Sequence, residues 1–395
     1  MNFSKRTDWT VSPNLLTTKL AALKNEGRRI LDLTVSNPTA CGFHYLNPSL
    51  LEPFLQSQNL VYEPDPHGLP QTRRAICEDY RKKGILLDPP QIFVTAGTSE
   101  AYSFIFRLLF EPGQMLMVPR PSYPLLDYLG RLNDVHLEPY PLVYEKNWRS
   151  NFERIDGPAD LEPRAVLLVN PNNPTGNFVC QAGLGEINMF CRTLDMAVIS
   201  DEVFFDFALE EAPQDRVSLA SNRSVLTFTL GGISKTLGLP QMKLSWIVVT
   251  GPEPLRARAV ERLEIIADTY LSAGTPVQHA LPQWLKLKEK IQTEILTRLA
   301  ANYNFLLASF ASSSYARILK TEGGWNAVLK LPFSLTDEEW AAAFLEKEEV
   351  LTHPGYLFDF EEGSFVVLSL LVPPEIFREG VTRIANRLES SAKKI

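Results

Sequence analysis

The chain has 395 residues, 45% of them hydrophobic and 22% charged, an ordinary globular balance with length for two domains or one large domain and an appendage. A net charge of −7 argues against nucleic acid or an anionic membrane surface as the main partner, and no run approaches the roughly 20 apolar residues that span a bilayer. Four scattered cysteines without a Cys-x-x-Cys pair, and five separated histidines without His-x-x-x-His spacing, suggest neither a disulfide framework nor a metal site.

Residues 1–6 lack the apolar core of a signal peptide, and the cysteine usage fits a reducing cytoplasm, the expected location. The first elements in chain order are a helix over 15–25, a strand over 30–35 and the turn Ser36-Asn37-Pro38-Thr39. From about Phe54 to Thr250, short apolar runs alternate with stretches of 3.6-residue periodicity such as 99–109 and 183–193. The strand candidates are 92–95, 115–118, 135–139, 165–170, 196–200, 225–230 and 246–250. Their residues are apolar throughout rather than alternating, which indicates burial on both faces of a largely parallel sheet.

Residues 255–270 and about 277–309 read as helices, the second long enough to bridge two lobes. Strands at 316–321, 325–330, 349–352 and 365–370 then mix with helices at 337–346 and 374–392, the pattern of a small α+β domain. The expected fold class is α/β: a large domain with a mostly parallel seven-stranded sheet sandwiched by helices, plus a small α+β domain. The expected division is 1–45 as N-terminal arm and part of the small domain, 46–280 as the large domain, and 281–395 as interdomain helix and C-terminal small domain.

In such sheets ligands gather at the carboxyl ends of the strands, and five strand ends here carry chemistry. Thr95-Ala96-Gly97-Thr98-Ser99 opens a helix, where free N–H groups and the positive dipole end suit a phosphate, although Thr98 or Ser99 as a plain N-cap also fits. Tyr123 sits in Pro119-Arg120-Pro121-Ser122-Tyr123-Pro124, placed to stack on a planar ligand or simply to pack. Asn170-Pro171-Asn172-Asn173-Pro174-Thr175-Gly176 fixes a tight backbone path and offers the Asn173 amide. Asp201 ends an apolar strand, as a helix cap or as the partner of a buried cation. Lys235 follows another strand, with Lys243 eight residues on. Taken together, a phosphate cradle, a ring, an amide, a carboxylate and a lysine match pyridoxal 5′-phosphate, whose aldehyde joins a lysine amine and whose ring nitrogen pairs with a carboxylate.

Over nearly its whole length the sequence resembles the class I/II aminotransferases, the fold-type-I pyridoxal-phosphate enzymes. The resemblance rests on Asn-Pro-x-Asn-Pro-Thr-Gly at 170–176, Asp-Glu-Val-Phe at 201–204 and Ser-Lys…Lys at 234–243. It implies that Lys235 forms the Schiff base and carries the transferred proton, and that Asp201 pairs with the pyridine nitrogen. It implies further that Asn173 bonds the phenolic oxygen, that Tyr123 stacks on the ring, and that Gly97, Thr98, Ser99 and Lys243 hold the phosphate. A homodimer is implied, with Tyr62 reaching the partner's phosphate and the segment 272–275 crossing the interface.

Three positions depart from the family pattern. Phe204 stands where a tyrosine is usual, and Gly232 where a phosphate-binding serine is usual. Val367 stands where an arginine usually clamps the substrate carboxylate, so Arg120 and Arg378 become candidate substitutes. The expected activity is transfer of an amino group from an amino acid or amine to a 2-oxo acid. The alternatives are another reaction of the same cofactor (β- or γ-elimination, decarboxylation or cyclising substitution) and, further off, a non-catalytic regulator that binds it.

Overall fold

The computed structural model describes residues 1–9, 14–152, 163–210 and 212–392. Helix α1 (Leu15–Asn25) leads to strand β1 (Leu31–Asp32), and α2 (Pro70–Lys82) to β2 (Ile92–Thr95). Next come α3 (Thr98–Leu109), β3 (Met115–Arg120), α4 (Leu125–Leu132), β4 (His136–Tyr144) and β5 (Trp148–Ser150). They are followed by β6 (Pro163–Val169), α5 (Gln181–Thr193), β7 (Ala197–Asp201), β8 (Thr227–Gly232), α6 (Ile233–Thr236) and β9 (Ser245–Thr250). Three helices, α7 (Glu253–Tyr270), α8 (Thr275–Lys286) and α9 (Lys288–Phe310), precede β10 (Arg317–Ile318) and β11 (Asn326–Leu331). The described chain closes with α10 (Asp337–Glu348), β12 (Val350–Leu351), β13 (His353–Pro354), β14 (Ser364–Ser369) and α11 (Pro374–Ala392).

The large sheet has the order β2-β9-β8-β7-β6-β3-β4-β5, eight strands rather than the seven expected. The extra strand, β5, pairs three residues with the end of β4 and is too short to show a period in the sequence. Strands β8, β7, β6, β3 and β4 run parallel to one another, while β9 is antiparallel to both β8 and β2, and β5 is antiparallel to β4. Both faces are covered. Phe93, Ile199, Phe228, Ile247 and Val249 pack with Phe104 and Ile105 of α3 and with Leu263 of α7. Val94, Trp246 and Val248 face the other way into a second core with Trp284 of α8. Double-sided burial is why these strands read as unbroken apolar runs.

A second, antiparallel sheet has the order β10-β11-β14-β13. The N-terminal strand joins the C-terminal part of the chain, β1 pairing in parallel with β12 at Leu31↔Val350 and Asp32↔Leu351. It is shorter than the expected 30–35 because the Asp32 carboxylate turns back to accept from Thr34 N at 2.8 Å.

The single helix expected over about 277–309 is in fact two, α8 and α9, breaking at Leu287. Apolar periodicity runs on through the break, so only tertiary contacts reveal it. Trp284 donates from its indole nitrogen to Leu50 O at 2.9 Å, while Lys288, one residue beyond the break, is drawn into a buried ionic cluster. Lys288 Nζ lies 2.7 Å from Asp79 and 3.0 Å from Asp206, and Lys83 lies 2.6 Å from Asp206. Gln292, one turn along α9, donates to both Asp206 and Thr236 O, which ties the cluster to the turn that carries Lys235. No described helix is long and apolar enough to cross a membrane.

Burial alone raises the Asp206 carboxyl, but Lys83 and Lys288 outweigh it and pull the group down from 3.8 to about 2. Asp206 therefore stabilises the fold above pH 3.8, and that contribution is lost as pH falls through about 2. Lys288→Ala leaves Asp79 and Asp206 with Lys83 alone and is expected to lower the unfolding free energy by about 3–5 kcal/mol in urea titrations. A loss below about 1 kcal/mol would show the cluster to be solvated rather than buried.

Candidate active site

Gly97, Tyr123, Asn173, Asp201 and Lys235 each lie just beyond or at the end of a strand of the large sheet, and the register brings several of these ends side by side. Asp201, the last residue of β7, is opposite Val169 of β6 and Leu230 of β8. Its carboxylate accepts from Tyr102 Oη at 2.9 Å and from Val203 N at 3.2 Å. Burial raises its pKa above the ordinary carboxylate value; the two hydrogen bonds and the charge of Lys235 act in the opposite direction.

Lys235 lies on α6, immediately after β8. Its ammonium is 5.0 Å from the centre of the Trp325 ring and 5.4 Å from that of Phe204. Burial lowers its pKa, with Asp201 partly opposing. A lysine so placed gives up its proton more readily than a free one, which favours the nucleophilic amine.

Tyr123 follows β3 and is 45% exposed, so its ring offers a free face. Burial of the phenol and the nearby Asp201 charge raise its pKa above the tyrosine value. Asn173 accepts at Oδ1 from Asn326 Nδ2 at 2.7 Å, which leaves the Asn173 NH₂ group as a donor. The turn around it is held tightly. Buried Asn172 donates to Pro121 O and Thr175, and Gly176, at φ +77°, has Thr321 Cγ2 2.6 Å from where a Cβ would stand.

The helix start at 97–99 is not a side-chain cap. Gly97 holds the N-cap position of α3 without any capping hydrogen bond, and among the described residues the Thr98 and Ser99 N–H groups have no acceptor. A Cβ at Gly97 would come within 3.3 Å of Lys243 Nζ, so the glycine leaves the ammonium room above these donors. Lys243 itself sits in the left-handed region at φ +53°, which costs a non-glycine residue about 1–2 kcal/mol. Uncapped amides, a bare glycine and an ammonium fit a phosphate dianion. The lysine, carboxylate, amide and ring fit the rest of a pyridoxal group.

Residues outside the expected set complete the site. Tyr102 reads in sequence as a core residue of α3; its one signal is a position four after Thr98, on the same helix face. Trp325 and Asn326 come from the second sheet, and nothing near them in sequence marks a site. Glu202, buried beside Asp201, accepts from Ser218 Oγ (2.5 Å), Leu219 N (2.7 Å), Ser200 Oγ (3.0 Å) and Asn170 Nδ2 (3.4 Å), and so clamps the turn that begins at Asn170.

Of the departures, Phe204 packs edge-on against Trp325 at 5.3 Å, and Gly232 ends β8 opposite Ser245. Val367 lies in mid-β14, fully buried, on the face shared with Val328, Phe358 and Phe365. Both candidate arginines have partners of their own. Arg120 is drawn toward Asp359 (3.7 Å) and Glu361 (3.6 Å), and Arg378 stacks on Phe305 at 5.5 Å. Tyr62 is 81% exposed and lines one hollow with residues 272–275.

A family model described as aminotransferase class I and II matches residues 30–384. Glutamate-pyruvate aminotransferase AlaA of Haemophilus influenzae is 26% identical over 373 residues, covering 93% of this chain and 92% of that protein. Nicotianamine aminotransferase 1 of rice (Oryza sativa subsp. japonica) is 25% identical over 339 residues, covering 83% of this chain and 68% of that protein. The fold is shared with alanine aminotransferase from Pyrococcus furiosus, at a TM-score of 0.88 and 24% identity, covering 98% of this chain and 100% of that one.

Burial pushes the Glu202 carboxyl from 4.5 up to about 7, against its four hydrogen bonds. This group therefore favours the folded state fully below pH 4.5 and loses that contribution as pH rises through about 7. Glu202→Ala orphans the buried donors and is expected to lower the unfolding free energy by about 3 kcal/mol or more. The wild-type advantage should be larger at pH 5 than at pH 8; an equal advantage would mean that Glu202 is ionised throughout.

Proposed function

This chain belongs to the class I and II aminotransferases, pyridoxal-phosphate-dependent transaminases, and on that premise we propose that Lys235 is the amine that joins the cofactor. The observation that carries the reading is the placement of Lys235 and Asp201 at the ends of adjacent strands, each felt in the other's charge. Bound there, pyridoxal 5′-phosphate supplies an aldehyde that condenses with amines and a protonated ring that draws electrons from the neighbouring carbon.

The residues then have separate tasks. Asp201, held as a carboxylate by Tyr102 and Val203 N, keeps a ring N–H protonated. Asn173 turns its NH₂ group to a phenolic oxygen, because Asn326 occupies its acceptor side. Tyr123 covers one ring face, and Gly97, Thr98, Ser99 and Lys243 bind the phosphate. Lys235 Nζ would take the proton from the substrate Cα, hold it, and return it to the former aldehyde carbon of the cofactor. Phe204 and Trp325 keep water from that amine.

The amino group passes from an amino acid or amine to a 2-oxo acid. With Val367 buried among apolar side chains, recognition of the donor does not rest on a cation at that strand. We read the protein as a cytoplasmic homodimer, the hollow shared by Tyr62 and 272–275 and the exposed Leu55, Leu60 and Val61 being the surface that a second copy covers. The missing cation also favours a second reading, elimination chemistry on the same cofactor.

Borohydride reduction of the purified holoenzyme followed by peptide mapping should place the pyridoxyl group on Lys235, and Lys235→Ala should abolish the label. Labelling at Lys243 instead would overturn the assignment. In single-turnover half-reactions, amines lacking an α-carboxylate should convert the cofactor to its amino form within about tenfold of the best amino acid. A preference beyond about 100-fold for the carboxylate would reveal another cation at the site. Release of ammonia with no need of a 2-oxo acid would favour elimination.

A further inference from the structure

Gly232 is not demanded by its own backbone. Its φ of 179° and ψ of 153° are extended values that any residue adopts. What excludes a side chain is Ser245, directly opposite in the β8·β9 pair. A Cβ at position 232 would stand 2.3 Å from Ser245 Oγ and 3.0 Å from Ser245 Cβ. The hydroxyl of β9 thus occupies the space that a residue on β8 would use.

That space borders the anion cradle on each side. Across the sheet Ser245 faces Thr95, two residues before Gly97, and along its own chain it follows Lys243 by two. Gly232 precedes Lys235 by three. The Thr95 hydroxyl is already committed to Gly97 O at 3.2 Å, whereas among the described residues Ser245 Oγ has no hydrogen-bond partner. Ser245 is only 1% exposed, and that sliver of surface lies at its hydroxyl, which is not among the fully enclosed polar atoms left without a partner.

We propose that Ser245 Oγ donates to the cofactor's phosphate and that Gly232 is the empty place that lets it do so. The two positions form one unit, a small residue on β8 and a hydroxyl on β9. This rests on the reading that pyridoxal 5′-phosphate binds at Lys235.

The test compares pyridoxal 5′-phosphate with pyridoxal, which lacks the phosphate, by fluorescence titration of the apoenzyme. Ser245→Ala should weaken pyridoxal 5′-phosphate by about tenfold or more, as expected for a lost hydrogen bond to a charged group, and leave pyridoxal unchanged. Gly232→Ser alone should weaken both ligands and lower the Tm, because its Cβ meets the Ser245 hydroxyl. Gly232→Ser combined with Ser245→Gly should recover the phosphate-specific affinity, since the hydroxyl returns from the opposite strand. Ser245→Ala that leaves pyridoxal 5′-phosphate within about twofold, or that weakens pyridoxal equally, overturns the assignment. Failure of the wild-type apoenzyme to bind pyridoxal 5′-phosphate would instead overturn the parent reading and this one with it.

Discussion

A carboxylate drawn partly out of water at the end of an apolar strand is the constraint around which this molecule is arranged. Asp201 follows Val198 and Ile199, both fully buried, and cannot remain charged there without compensation. Tyr102 Oη and Val203 N each give it a hydrogen bond, and Lys235 on the next strand end supplies a positive field. The demand is mutual, because burial also presses Lys235 toward its neutral form. One pair thus yields a carboxylate whose charge its neighbours defend against burial and a lysine drawn toward its neutral form.

The groups that hold this pair come from distant parts of the chain. Beneath Asp201, Glu202 gathers donors from 170, 200, 218 and 219, so the Asn-Pro turn and the carboxylate move as one body. Behind Lys235, Gln292 of α9 grips Thr236 O while Lys288 locks α9 to Asp79 and Asp206. Asn326 of the second sheet orients the Asn173 amide. Each contact fixes a rotamer that would otherwise wander, and chemistry that tolerates errors of only a fraction of an ångström needs such support.

The three departures from the family pattern divide by physical consequence. At Gly232 the change is matched across the strand pair by Ser245, so the volume is conserved and the hydroxyl stays at the site. At Phe204 the ring remains and packs on Trp325, but it brings no hydroxyl. At Val367 nothing is restored, since its neighbours are Val328, Phe358 and Phe365. Only at Gly232, then, does the opposite strand supply what the position lacks; neither the hydroxyl missing at Phe204 nor the cation missing at Val367 is restored.

The strand-end positions of Asn173, Asp201 and Lys235 were legible in the sequence because each follows a strand whose apolar run is continuous, and a strand end is a position that one-dimensional pattern defines. The large sheet was legible for the same reason, save for β5, whose three residues carry no period. Tyr102, Trp325 and Asn326 were not legible, because their roles depend on which side chains lie opposite once α3 and the second sheet have docked. The break at Leu287 was invisible too, since the pull on Lys288 comes from Asp79 and Asp206, at least 82 residues away in the chain. Local periodicity determined where the strands end. Only packing between elements far apart in sequence decided what meets there, as it did in setting the Ser245 hydroxyl into the space above Gly232.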